Sequence, residues 1–97
     1  MHIGIYINNE NIADVNCKNL LLGNPGIGGT EYCILLLAQV YKMYYSNNKV
    51  TLFVANQGNL PEVDNYVIVN DIDDLPNRAK EEGIDILVVS AVHNGMP

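Results

Sequence analysis

The chain has 97 residues, 48% of them hydrophobic, and a formal net charge of −6 from 5 basic and 11 acidic side chains. That length fits one small domain with a core, and the acidic balance, with Lys18, Lys42, Lys49, Arg78 and Lys80 scattered along the chain, argues against a nucleic-acid partner. No apolar run approaches the ~18 residues that span a bilayer, and the N-terminus lacks the basic opening of a secretion signal, so the expected compartment is the cytoplasm.

Residues 2–7, HIGIYI, predict a short strand: β-branched and aromatic residues that end at Asn8-Asn9. Residues 8–27 predict an irregular polar loop, broken only by the apolar NLLLG. The stretch GNPGIGGTEY then holds four glycines, Gly23, Gly26, Gly28 and Gly29, within seven residues. A helix is expected from Thr30 to Tyr45, free of Gly and Pro and stopped by Asn47-Asn48. It carries two apolar stripes, Cys33, Leu36, Leu37, Val40 and Tyr44 on one face and Ile34, Ala38, Tyr41 and Tyr45 on another. A helix greasy on both sides expects more than one neighbour. Cys33, within that run, is expected in the core, whereas Cys17, in the polar loop, suggests no role.

A second strand is expected at 49–55 (KVTLFVA), a third at 66–69 (YVIV), and a fourth at 84–90 (IDILVVS). Between the last two, DIDDLPNRAKEEG predicts a short helix with Ile72, Leu75 and Ala79 on its apolar face and Gly83 as its left-handed cap. The strands are nearly continuous apolar runs rather than alternating ones, as in parallel strands covered on both faces. The order of elements predicts an α/β fold: a Rossmann-like open parallel sheet with flanking helices, with the first strand central. SAVHNGMP follows the fourth strand directly, with no covering helix, so residues 1–97 are expected to be the N-terminal half-domain of a larger protein. The alternative is a small complete domain that hides its excess apolar helix by dimerising.

The glycines stand where the first strand gives way to the first helix. In a parallel open sheet, ligands bind outside the carboxyl ends of the strands. Glycine lets a ligand approach the backbone closely, and a helix N-terminus offers unpaired N–H groups and partial positive charge. Gly26, Gly28, Gly29 and Thr30 are therefore candidate anion ligands. Glu31 opposes an anion but favours the helix dipole. No Lys follows the glycines, which excludes a P-loop, and Glu31 replaces the third glycine of a dinucleotide fingerprint, which disfavours NAD. His93, just past the fourth strand, is a further candidate. The DxD within Asp71–Asp74 fits a helix start better than a metal site, because Asp and an early Pro both suit a first helical turn.

Together, IGIY, the polar loop, GIGGTEYCILLLAQ, VTLFV and EEGIDILVVSAVH resemble the N-terminal domain of GT-B glycosyltransferases. The chain is similar in particular to the retaining, nucleotide-sugar-dependent family 4. The resemblance implies a hexosyltransferase with no metal and no other cofactor. Its Gly28-Gly29 backbone would approach the donor diphosphate, and loop 8–27 would help choose a sugar or lipid-linked acceptor. A separate C-terminal domain would hold most of the nucleotide sugar and a pair of glutamates, so the fragment alone should be inactive. The family's histidine near the fourth strand falls around Ser90, offset from His93. Other readings stay open: a non-catalytic nucleotide- or anion-binding α/β domain, or an interaction module, including a homo-oligomer formed through the apolar helix.

Overall fold

A computed structural model describes residues 1–89. Four strands, β1 (His2–Ile7), β2 (Lys49–Val54), β3 (Asn65–Ile68) and β4 (Ile86–Val89), form an all-parallel sheet in the order β3-β2-β1-β4. Helix α1 (Gly29–Tyr44) links β1 to β2, and α2 (Leu75–Glu81) links β3 to β4. The fold is the expected Rossmann-like α/β arrangement with β1 central. Each predicted strand and helix is present; most ends shift by a residue or two, as is usual, whereas α2 begins only at Leu75, after a 3-10 turn at Ile72–Asp74, and Ser90, the expected end of the fourth strand, lies outside the described residues.

The two helices lie against opposite faces of the sheet. Ile3, Ile5 and Ile7 of β1 stand in register with Val50, Leu52 and Val54 of β2, and this face packs beneath Leu35 and Ala38 of α1. On the other face, Tyr6, Phe53 and Val67 pack with Leu75 and Ala79 of α2. Continuous apolar strands follow directly, since successive side chains alternate between two buried faces. Gly4 interrupts the β1 run because the Phe53 ring occupies the space above it. A Cβ at Gly4 would lie 2.8 Å from Phe53 Cε2 and 3.1 Å from the Ile84 side chain.

Three local devices complete the frame. Residues 55–64 carry the chain from β2 to β3 without a helix. Leu60, Pro61 and Val63 are buried there, and the Tyr66 hydroxyl donates to the Pro61 carbonyl at 2.6 Å. Gly83 closes the α2 end with φ 72°, as its expected cap role requires. Asp64 accepts from Lys42 Nζ and from the Val50 amide, each at 2.7 Å, which ties α1 to the sheet. Desolvation pushes the Asp64 carboxyl up, but these hydrogen bonds and the Lys42 charge outweigh it and hold the group below the ordinary carboxylate range.

Three expectations are corrected. Cys33 is exposed and Cys17 is buried, the reverse of their sequence surroundings. The side of α1 that meets the sheet is centred on Leu35 and Ala38, and Cys33 points away from it. Ile72 is exposed, because it lies in a 3-10 turn (Ile72–Asp74) that precedes α2 and not on the helix's buried face. Loop 8–27 is less irregular than expected. It contains 3-10 turns at Glu10–Ile12 and Leu20–Leu22, and it buries Ile12, Cys17, Leu20 and Ile27 in the α1-side core.

Substituting Gly4→Val should destabilise the fold by about 1–3 kcal/mol through overpacking against Phe53. Urea unfolding should show a lowered midpoint, and adding Phe53→Leu should recover part of it. An unchanged midpoint for Gly4→Val would contradict the close approach.

Candidate anion site at the start of helix α1

In a parallel sheet all strand carboxyl ends lie along one edge. The chain runs outward from β1 through β2 to β3, then returns to place β4 on the other side of β1. The switch in strand order therefore falls between β1 and β4, and the segment leaving β1 begins at that point.

Asn9 anchors this segment. It is buried, its Oδ1 accepts from the amides of Ala55 and Asn56 at 2.9 and 3.0 Å, and its Nδ2 donates to the Asn56 carbonyl at 2.9 Å. Asn56 Nδ2 donates back to the Asn9 carbonyl at 3.2 Å. The ends of β1 and β2 are thus clasped by a satisfied polar pair, as buried amides require. Further along, the Leu20 amide donates to Gln39 Oε1 at 2.8 Å, Gln39 Nε2 donates to Asn19 Oδ1 at 3.0 Å, and the Tyr32 hydroxyl donates to the Leu20 carbonyl at 3.1 Å. These bonds fix the loop against α1.

The glycine turn follows. Gly23 and Gly26 have φ of 119° and 107°, values that side chains disfavour, so both are required by the backbone path. Asn24 braces the turn from within. Its Oδ1 accepts from the amides of Gly26 and Ile27 at 2.9 and 2.8 Å, and its Nδ2 donates to the Ile27 carbonyl at 2.9 Å. The Gly26 amide is therefore already engaged, and Gly26 contributes shape rather than a free donor.

Gly28 is the N-cap of α1, with extended backbone and no side-chain cap, and its carbonyl accepts from the Tyr32 amide at 2.9 Å. The amides of Gly28, Gly29, Thr30 and Glu31 have no acceptor among the described residues. Gly28, Gly29 and Thr30 are exposed. A Cβ at Gly29 would meet nothing within 4 Å, so open space lies where a ligand would approach. A Cβ at Gly28 would lie 2.5 Å from Glu31 Oε1, which shows that the Glu31 carboxylate folds back toward the helix start. It complements the dipole there and must swing aside for an anion to take its place.

Beside this turn, a cleft of about 300 Å³ is lined by Asn16, Lys18, Asn19, Leu22, Gly23, Asn24 and Pro25. Lys18 gives it a cation. Around the carboxyl end of β1, on the α2 side, the charge is negative. Burial, then the Glu10 and Asp71 carboxylates, push the Tyr6 hydroxyl above its usual range and keep it protonated. Asp71 has a local task, accepting from the Asp73 amide at 2.9 Å as the cap of the turn before α2. No group of three potential metal ligands occurs among the described residues.

The structure thus brings Gly26, Gly28, Gly29 and Thr30 together at one corner. His93 and Ser90 lie outside the described residues. The Asn9 clasp, the Asn24 brace and Gln39 were not singled out from sequence. An Asn two residues before Gly26 is the one signal that could have pointed to a side chain holding the turn. No protein-family model matches this chain, and no curated protein or solved structure gives a significant match to it. No helix among the described residues is long and apolar enough to cross a membrane.

Replacing Asn24 with Ala removes three hydrogen bonds at once. It should lower stability by about 1–3 kcal/mol and speed hydrogen exchange at Gly26 and Ile27, leaving the β1 and β2 amides protected. Unchanged exchange at both positions would contradict the brace.

Proposed function

We propose that the chain is the acceptor-side domain of a glycosyltransferase that moves a sugar from a nucleotide sugar to an acceptor hydroxyl. The observation that carries this reading is the row of amides from Gly28 to Glu31 that have no acceptor among the described residues, with Gly28, Gly29 and Thr30 exposed at the carboxyl edge of a parallel sheet beside its switch point. Backbone donors in that position suit the charge of a diphosphate leaving group, and they are held in place before the reaction begins. The resemblance of GIGGTEYCILLLAQ to the family 4 enzymes supplies the sugar-nucleotide part of the proposal. The loop cleft containing Lys18 and three asparagines suits hydroxyl-rich or anionic acceptors. A second domain, placed opposite Gly29, would hold the nucleoside and the catalytic carboxylates, so this chain alone would bind donor weakly and turn nothing over. Such an enzyme would work in the cytoplasm.

A non-catalytic anion-binding domain would use the same amides, and the back-folded Glu31 favours it to the extent that it screens them. The two readings part on the ligand: the glycosyltransferase reading requires a preference for nucleoside diphosphates over inorganic phosphate.

The substitution Gly29→Ala tests the site without disturbing the fold, since its Cβ meets no protein atom within 4 Å. Calorimetric titration with UDP and GDP should show millimolar-range binding to the unsubstituted chain. Gly29→Ala keeps the amide but puts a methyl group in the open space where the ligand would approach, and should weaken binding about tenfold, the equivalent of roughly one charge-assisted hydrogen bond held off its donor, with no drop in thermal midpoint. Equal binding by both proteins, or none by either, would overturn the site.

A further inference from the structure

Helix α1 presents an apolar seam on the side facing away from the sheet. Its buried positions are Leu35, Ala38 and Gln39. Opposite them stand Cys33, Leu37, Val40 and Tyr44. Cys33 is exposed, Leu37 is 46% exposed and Tyr44 73%, with Met43 beside them at 53%. From Tyr32 to Asn48 the only formally charged side chain is Lys42, and it is engaged with Asp64. Extending the sheet at either edge would set new helices beside α1 rather than over its outward side.

The four positions are separated by four, three and four residues, the alternation of a coiled-coil seam. The spacing reads the same in both directions. A two-fold axis midway between Leu37 and Val40 would place Cys33 opposite Tyr44 of a second copy, and Leu37 opposite its Val40. The smallest seam side chain then meets the largest, and two intermediate ones meet each other. The antiparallel arrangement also sets the positive end of each helix beside the negative end of the other. Two acidic molecules would meet along a strip that carries no charge of its own.

We infer that the outward face of α1 is the interface of a two-fold dimer, with α1 packed antiparallel against α1 of a second copy of this chain. Sixteen residues make a helix about 24 Å long and ~10 Å wide. That strip is smaller than the roughly 800 Å² per partner of a standard stable interface. The dimer is accordingly weak and forms as concentration rises. The seam is independent of the anion site, so either can stand without the other.

The exposed thiol of Cys33 provides the test. In the antiparallel dimer, Cys33 and its copy lie about 16 Å apart along the helix axis, too far for a disulfide, which needs Cα atoms within roughly 7 Å. Mild oxidation should therefore leave the unsubstituted chain uncrosslinked. The variant Tyr44→Cys should form a covalent dimer, and peptide mapping should join Cys33 of one chain to position 44 of the other. Sedimentation of the unsubstituted chain should show a dimer growing with concentration. Leu37→Glu, at an exposed position, should remain monomeric with an unchanged circular dichroism spectrum. A disulfide joining Cys33 to its own copy would overturn the antiparallel arrangement. A chain that stays monomeric at every concentration would overturn the dimer and leave the seam to a different partner.

Discussion

A parallel sheet buried on both faces cannot end its strands at random: every carboxyl end lies on one edge. The backbone groups that leave the sheet there have no ladder partner and must be satisfied by loops, water or a ligand. In this protein that constraint decides where chemistry can occur. β1 is central and clothed on one face by α1 and on the other by α2, so its exit is a fixed point. The Asn9 clasp ties that exit to the end of β2 with bonds of 2.9 to 3.2 Å. Whatever the loop presents is therefore presented from a rigid base.

Within the loop, two kinds of backbone amide are sorted by a single side chain. Asn24 consumes the donors of Gly26 and Ile27, and the positive φ at Gly23 and Gly26 lets the chain curl tightly enough for it to do so. The next four amides, from Gly28 to Glu31, are left at the start of a 16-residue helix. The glycines thus divide their work. Gly23 and Gly26 shape the turn, and Gly28 and Gly29 keep side chains away from the donors. Glu31 introduces a conflict, because the carboxylate that stabilises the empty helix start competes with any anion that binds there. A carboxylate that must be displaced weakens binding but also discriminates, since only a ligand with more negative charge than one carboxylate gains from the exchange.

Much of this architecture was legible in the chain. Apolar strands without alternation announced parallel strands buried on both faces, and Gly83 announced the end of α2. The glycine turn marked the exit from β1. Residues whose burial depends on distant partners were not legible. Cys17 looks solvated among polar neighbours, yet it packs with Ile12 and Leu20 because short 3-10 turns carry no long periodicity to reveal an inner face. Cys33 looks buried among leucines, but two apolar faces on α1 leave the sequence unable to say which one meets the sheet. Gln39 is buried because Leu20 and Asn19 complete its hydrogen bonds from about twenty positions away, a pairing that exists only after folding. The missing Cβ at Gly4 makes sense only once Phe53 is seen above it.

The account rests on the amides at the start of α1 being open to a ligand while their neighbours are not. Backbone ¹⁵N–¹H spectra recorded during titration with pyrophosphate, and then with UDP, examine that division directly. Saturable shifts at Gly28, Gly29, Thr30 and Glu31, with Gly26 and Ile27 nearly still, are the predicted result. No shift at millimolar ligand, or shifts spread evenly over the surface, would contradict it.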